Sequence, residues 1–92
     1  MPAAVDIGTL ISSRPELHGG KPCIAGTGVT VMAIVDLYEQ GCSPADIKAS
    51  HFPHLALDGI FAALAYWAAN PAEIDQWNRL DQEAHDELFG PT

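Results

Sequence analysis

Cys23 and Cys42, the histidines His18, His51 and His54, Ser43, and the glycine clusters around Lys21 and Thr27 are the residues from which this sequence could assemble reactive chemistry. Structural zinc asks for paired ligands at CxxC or HxxxH spacing, which neither Cys42 with His51 and His54 nor His18 with Cys23 provides. Gly19-Gly20-Lys21 has the start of a phosphate loop, but Pro22 stands where GxxxxGK[ST] needs a hydroxyl. Gly26-Thr27-Gly28 lacks the later glycine of a dinucleotide fingerprint and reads as a tight turn that needs positive φ. A nucleophile would pair Cys23 or Ser43 with a histidine and an acid, yet no nucleophile motif surrounds Cys23, and Ser43 is placed to cap a helix. Two cysteines outside any framework read as free thiols in a reducing compartment. The residues therefore predict a binding protein with no cofactor and no metal, and not an enzyme.

Charge narrows the partner. Four Lys+Arg against twelve Asp+Glu leave a net charge of −8, which repels nucleic acid and anionic membrane and favours a basic protein surface. The cations are Arg14, Lys21, Lys48 and Arg79, too few and too scattered for a DNA footprint. Among the large aromatics, Tyr66 and Trp67 are expected to pack in the core. Trp77 lies on a less apolar segment and is the better interface anchor.

The elements that must position these side chains follow from spacing. At 92 residues the chain closes one core and buries roughly 60–65% of its unfolded surface. No apolar run approaches the roughly 20 residues of a membrane span, and the N-terminus lacks the basic and apolar regions of a secretory signal, so a cytoplasmic location is expected. Alternation from Val5 to Ile11 predicts a short strand. The stretch from Arg14 to Gly28 is broken by glycine and proline into an arm, with Cys23-Ile24 as a second short strand. Val31, Ile34, Val35 and Tyr38 repeat at helical spacing, with Thr30 as N-cap and Gly41 just past the end. Ser43-Pro44-Ala45-Asp46 combines a capping box with proline at the first helical position, and that helix stops near Ser50, before Pro53. A third helix runs from about Leu57 to Ala69, with Ile60, Leu64 and Trp67 on one side and Phe61, Ala65 and Ala68 beside them. Asn70-Pro71-Ala72-Glu73 repeats the cap logic and opens a fourth, which carries Ile74, Trp77, Ala84 and Leu88 inward. On its outer face Arg79 is spaced to pair with Asp75 and Glu83. The single domain thus divides into residues 1–29 (strand and arm), 30–69 (a three-helix core of helix-turn-helix type) and 70–90 (a C-terminal helix).

Gly19-Gly20-Lys21-Pro22-Cys23-Ile24-Ala25-Gly26-Thr27, then Gly41-Cys42-Ser43-Pro44, Ile47, Phe52-Pro53-His54-Leu55 and Ala62-Ala63-Leu64-Ala65-Tyr66, come in the order and spacing of a known family. Over about residues 10 to 69 the chain resembles domain-of-unknown-function family 433, whose pattern reads GGKPxIxGTRxPV, GxSxEEI, YPxLT and AALxYA. The resemblance implies a homeodomain-like trihelical fold and a role as a VapB-like antitoxin encoded beside a toxin with a PIN-like nuclease domain. Two departures matter. The arginine and proline of GTRxPV are Gly28 and Thr30 here, so no contact made by that arginine carries over. The threonine of YPxLT is Ala56, which removes an N-cap worth roughly 1 kcal/mol and leaves Asp58 near the positive helix end as a partial substitute.

The expected fold class is mainly α: a trihelical, homeodomain-like core with a short N-terminal strand and arm and an extra C-terminal helix. The leading functional expectation is an antitoxin-like protein of a type II toxin-antitoxin pair that neutralises a cognate toxin nuclease by protein contact. A DNA-binding autoregulator, alone or with its toxin, is the alternative, although charge disfavours DNA. A homodimeric scaffold without a toxin is the third reading, and an apolar excess favours a homodimer in any case. Candidate partner-binding residues are Arg14, His18, Lys21, Trp77, Arg79 and Glu83. Candidate architectural residues are Gly41, Ser43, Pro44, Asp46, Pro53 and Leu64.

Overall fold

The computed structural model describes residues 10–13 and 18–90, with backbone only for His18 and Phe89. The predicted strand residues Val5 to Thr9 lie outside the described residues, as does Arg14. Strands β1 (Ile11–Ser12) and β2 (Cys23–Ile24) pair antiparallel, Ile11 opposite Ile24 and Ser12 opposite Cys23. A sheet this small needs outside support to persist. It is extended at the Ile11–Ile24 end by Ala25 N–H donating to the Leu10 carbonyl at 2.7 Å, and the chain leaves β2 at that same end through a turn that Gly26 makes at φ 77°. In that turn the Thr27 hydroxyl donates to the Ile24 carbonyl at 2.8 Å and accepts from the Val29 N–H at 3.1 Å.

Four helices follow: α1 (Val31–Glu39), α2 (Pro44–Ser50), α3 (Leu57–Ala69) and α4 (Pro71–Phe89). Thr30 caps α1 by accepting from the Ala33 N–H at 3.2 Å, and Gly41, at φ 102°, turns the chain out of it. The box at α2 closes both ways: Ser43 Oγ accepts from Asp46 N–H at 3.1 Å, and the Asp46 carboxylate accepts from Ser43 N–H at 3.4 Å. Lys48 then organises the connection to α3, its ammonium donating to the carbonyls of Pro53 at 3.0 Å and Leu55 at 2.6 Å. Ala56 gives α3 no side-chain cap, and Asp58 is the acid of its first turn.

Ile24, Val31, Met32, Ile34, Val35, Ile47, Leu55, Ile60, Ala63 and Ile74 form the core, with Leu64, Tyr66, Trp67 and Trp77 half-buried against it. Helix α3 contacts both strands and all three other helices. Its approach to β2 is set by Gly59, where an added Cβ would stand 2.9 Å from Ile24 Cγ2. The architecture is the mainly helical one expected, with a two-stranded antiparallel sheet at the N-terminal end.

Three details of the sequence reading are corrected. Asn70 does not cap α4; its side-chain amide donates instead to the Tyr66 carbonyl at 3.1 Å, tying the new helix to the end of the old one. Ala84 and Leu88 do not turn inward, because the core ends at Ile74 and Trp77, and Leu88 is 77% exposed. Phe61, expected beside the core-facing side of α3, is 55% exposed.

The Gly59–Ile24 contact yields a sign-changing prediction. Alanine in a helix gains about 1 kcal/mol over glycine, whereas overpacking costs about 1–3 kcal/mol. Gly59→Ala should therefore destabilise the protein by about 1 kcal/mol in chemical denaturation. On an Ile24→Ala background, where the obstructing methyl is gone, the same change should stabilise it. A Gly59→Ala effect of the same sign and size in both backgrounds contradicts the close approach.

Candidate interaction surface

Of the partner-binding candidates, Trp77, Arg79 and Glu83 lie on α4 and Lys21 on the arm beside it. Lys21 reaches across to α4, its ammonium 2.6 Å from Asp81 Oδ1. This pins the third turn of α4 to the arm, yet both groups keep contact with water, so the pair is worth at most about 1 kcal/mol. Lys21 is thereby engaged inside the fold and is not a free cation for a partner. Arg14 and the side chain of His18 lie outside the described residues.

Glu73 is the organising residue at the start of α4. Its carboxylate accepts from the Tyr66 hydroxyl at 2.5 Å and from the Trp77 indole N–H at 3.2 Å, bridging α3 to α4. Trp77 is thus half-buried and packed on the core, with its polar atom satisfied internally. Burial, joined by the hydrogen bond and negative charge of Glu73, pushes the Tyr66 hydroxyl up to about 12. Tyr38 stands edge-on to Trp67, ring centroids 6.1 Å apart, closing the same end of the core.

The outer face of α4 is different in kind. Asp75, Arg79, Glu83 and Glu87 are all exposed. The Arg79 pairs with Asp75 and Glu83 expected from spacing do not form; Lys21 pairs with Asp81, and His85 Nδ1 stands 3.8 Å from Asp86 Oδ1. A shallow open hollow beside this face is lined by Ala72, Asp75, Asn78, Arg79 and Gln82. Since Lys21 and Lys48 are both committed to internal partners, Arg79 is the one Lys or Arg of the described residues left without an ion pair or hydrogen bond. The outer face of α4 thus carries Asp75, Glu83 and Glu87 around the single cation Arg79.

Cys23 is buried and Cys42 half-buried, both as free thiols, and burial raises the Cys23 pKa despite the charge of nearby Lys21. Among the described residues no group of three His, Cys, Asp or Glu side chains could hold a metal ion, and no helix is long and apolar enough to cross a membrane.

The roles of Glu73, Asp81 and Lys48 were missed by the sequence reading. Glu73 to Trp77 is an i,i+4 pair within one helix and was open to inspection. Lys21 and Asp81 are 60 positions apart, and no local pattern signals their meeting.

A mainly helical protein with a two-stranded sheet laid on its central helix is the class that fold and surface define. Residues 11–67 match the family described as "Protein of unknown function (DUF433)", and the chain belongs to that family. It is similar to the protein in the "Crystal structure of a duf433 member protein from anabaena variabilis atcc 29413 at 2.00 A resolution", with a TM-score of 0.67 and 29% identity. That similarity covers 74% of this chain and 66% of the other, so the chain spans just under two thirds of that relative. No curated protein matches the chain. The family match ends at Trp67, which leaves α4, with Trp77, Arg79 and Glu83, beyond it.

The Glu73 bridge sets a pH dependence. The folded hydroxyl titrates at about 12 against an ordinary 10.0, so the stabilisation from neutral, bonded Tyr66 is complete below pH 10 and lost as pH rises through 12. In a Tyr38→Phe background, where Tyr66 is the remaining tyrosine, phenolate absorbance should rise in one late step near pH 12. Glu73→Gln should move that step down toward 10; an unmoved step contradicts the bridge.

Proposed function

We propose that this chain is an antitoxin-like binding protein of a type II toxin-antitoxin pair, and that it neutralises a PIN-like toxin nuclease by covering its basic RNA-binding surface. The reading starts from the resemblance of its motifs to a VapB-like family. It is carried by one observation: Asp75, Glu83 and Glu87 stand exposed along the outer face of α4, with Arg79 as the one cation among them. Carboxylates so placed can occupy positions that would otherwise hold RNA phosphates, and the field of the whole chain speeds approach to a cationic partner. In this reading the chain needs no cofactor and performs no catalysis. DNA contact by α3 is the weaker alternative, because that helix contains no Lys or Arg and a partner would have to supply the cations.

Calorimetry of the purified chain with the product of the adjacent open reading frame should show binding at low salt that weakens as salt rises. The combined reversal Asp75→Lys, Glu83→Lys and Glu87→Lys should weaken it at least about tenfold, the scale for losing several charge contacts at an interface. Absence of binding at low salt would remove the proposal.

A further inference from the structure

We propose that the solvent face of α3 is a self-association surface, on which a second copy of this chain packs its own α3. Leu57, Phe61, Ala65 and Ala68 fall at i, i+4, i+8 and i+11 and share one side of that helix. The side is opposite Gly59, which faces β2, and away from the buried Ile60, Ala62 and Ala63. Phe61 is 55% exposed and Leu57 40% exposed, so an aromatic ring and a branched aliphatic chain face water side by side. Half-buried Leu64 extends the apolar edge. Adjacent exposed apolar side chains on one helix face make a patch of the kind that contact surfaces use.

Charge selects the occupant. A chain of net charge −8 repels its own copy over most of its surface. Helix α4 carries Glu73, Asp75, Asp81, Glu83, Asp86 and Glu87, so two copies meeting there would oppose like charges. Helix α3 holds a single charged residue, Asp58, at its N-terminal end. When two α3 helices pack antiparallel about a twofold axis near Leu64, the copies of Asp58 lie toward opposite ends of the contact. The alanines at 65 and 68 leave room for the opposing phenyl ring. A basic toxin gains little on this face, since it offers almost no negative charge. Self-pairing here is independent of the antitoxin reading and leaves the acidic face of α4 open. It also covers the side of α3 that a DNA-reading helix would have to expose.

Sedimentation of the full chain across a dilution series tests this. The wild type should pass from monomer to dimer. Phe61→Asp should push the midpoint to at least about thirtyfold higher concentration, the loss typical of a buried aromatic anchor, with its thermal melt unchanged at dilutions where the wild type is also monomeric. Phe61→Leu should stay close to wild type, and Leu88→Asp on α4 should dimerise as the wild type does. Should Phe61→Asp fail to fold, oxidative crosslinking decides: on a Cys42→Ser background, Phe61→Cys should give a covalent dimer and Leu88→Cys should not. A wild type that stays monomeric throughout, a dimer abolished by Leu88→Asp but not Phe61→Asp, or crosslinking at 88 alone would each overturn the proposal. So would a monomeric wild type whose binding to the neighbouring gene product is lost in Phe61→Asp, which would give the face to that partner.

Discussion

The contact on which this structure depends is the one between Gly59 and Ile24. A pair of two-residue strands has almost no stability of its own, and it persists because it lies directly on a helix that has given up a side chain to receive it. The cost is a glycine in the first turns of α3, a position already short of a capping side chain at Ala56. What is gained is a single core in which Ile24, from the arm, meets Ile34, Ile47, Ile60 and Ile74 from the four helices. In so small a domain, tertiary packing of α3 on five neighbours replaces the local signals that the helix lacks.

Electrostatics then divides the molecule. Lys21 fastens the arm to α4, and Lys48 holds the connection between α2 and α3 through two carbonyls. These cations serve architecture, and exposed carboxylates dominate the outer side of α4. Helix α3 shows the opposite character, apolar and nearly uncharged on its exposed side. The chain thus carries two chemically distinct faces on consecutive helices, and the Tyr66–Glu73–Trp77 bridge fixes one helix against the other.

Much of this was legible in the sequence where the interaction is local. Thr30 and Ser43 cap the helices they were expected to cap, Gly26 and Gly41 adopt the positive φ their turns need, and the four helices fall where the apolar spacing puts them. What failed were inferences that needed the extent of the core. Periodicity places Ala84 and Leu88 on the same stripe as Ile74 and Trp77, but it cannot show that the core stops two turns earlier. The same limit applies to Asn70, whose side chain found the Tyr66 carbonyl in place of its own helix. Of the candidate surface, Trp77, Arg79 and Glu83 were correctly gathered on one helix. Their separate environments, one packed and two exposed, depend on what lies beside α4 and are not encoded in spacing.

The proposal to be tested is that this mainly helical, acidic chain binds a basic protein and not nucleic acid. The most direct measurement is fluorescence anisotropy of a labelled mixed-sequence duplex titrated with the free chain at low salt, where counterion release most favours any nucleic-acid contact. The account predicts no saturable signal up to roughly 0.1 mM, the weak end of nonspecific DNA binding. Saturable binding that weakens steeply with added salt, as contact with several phosphates requires, would contradict it.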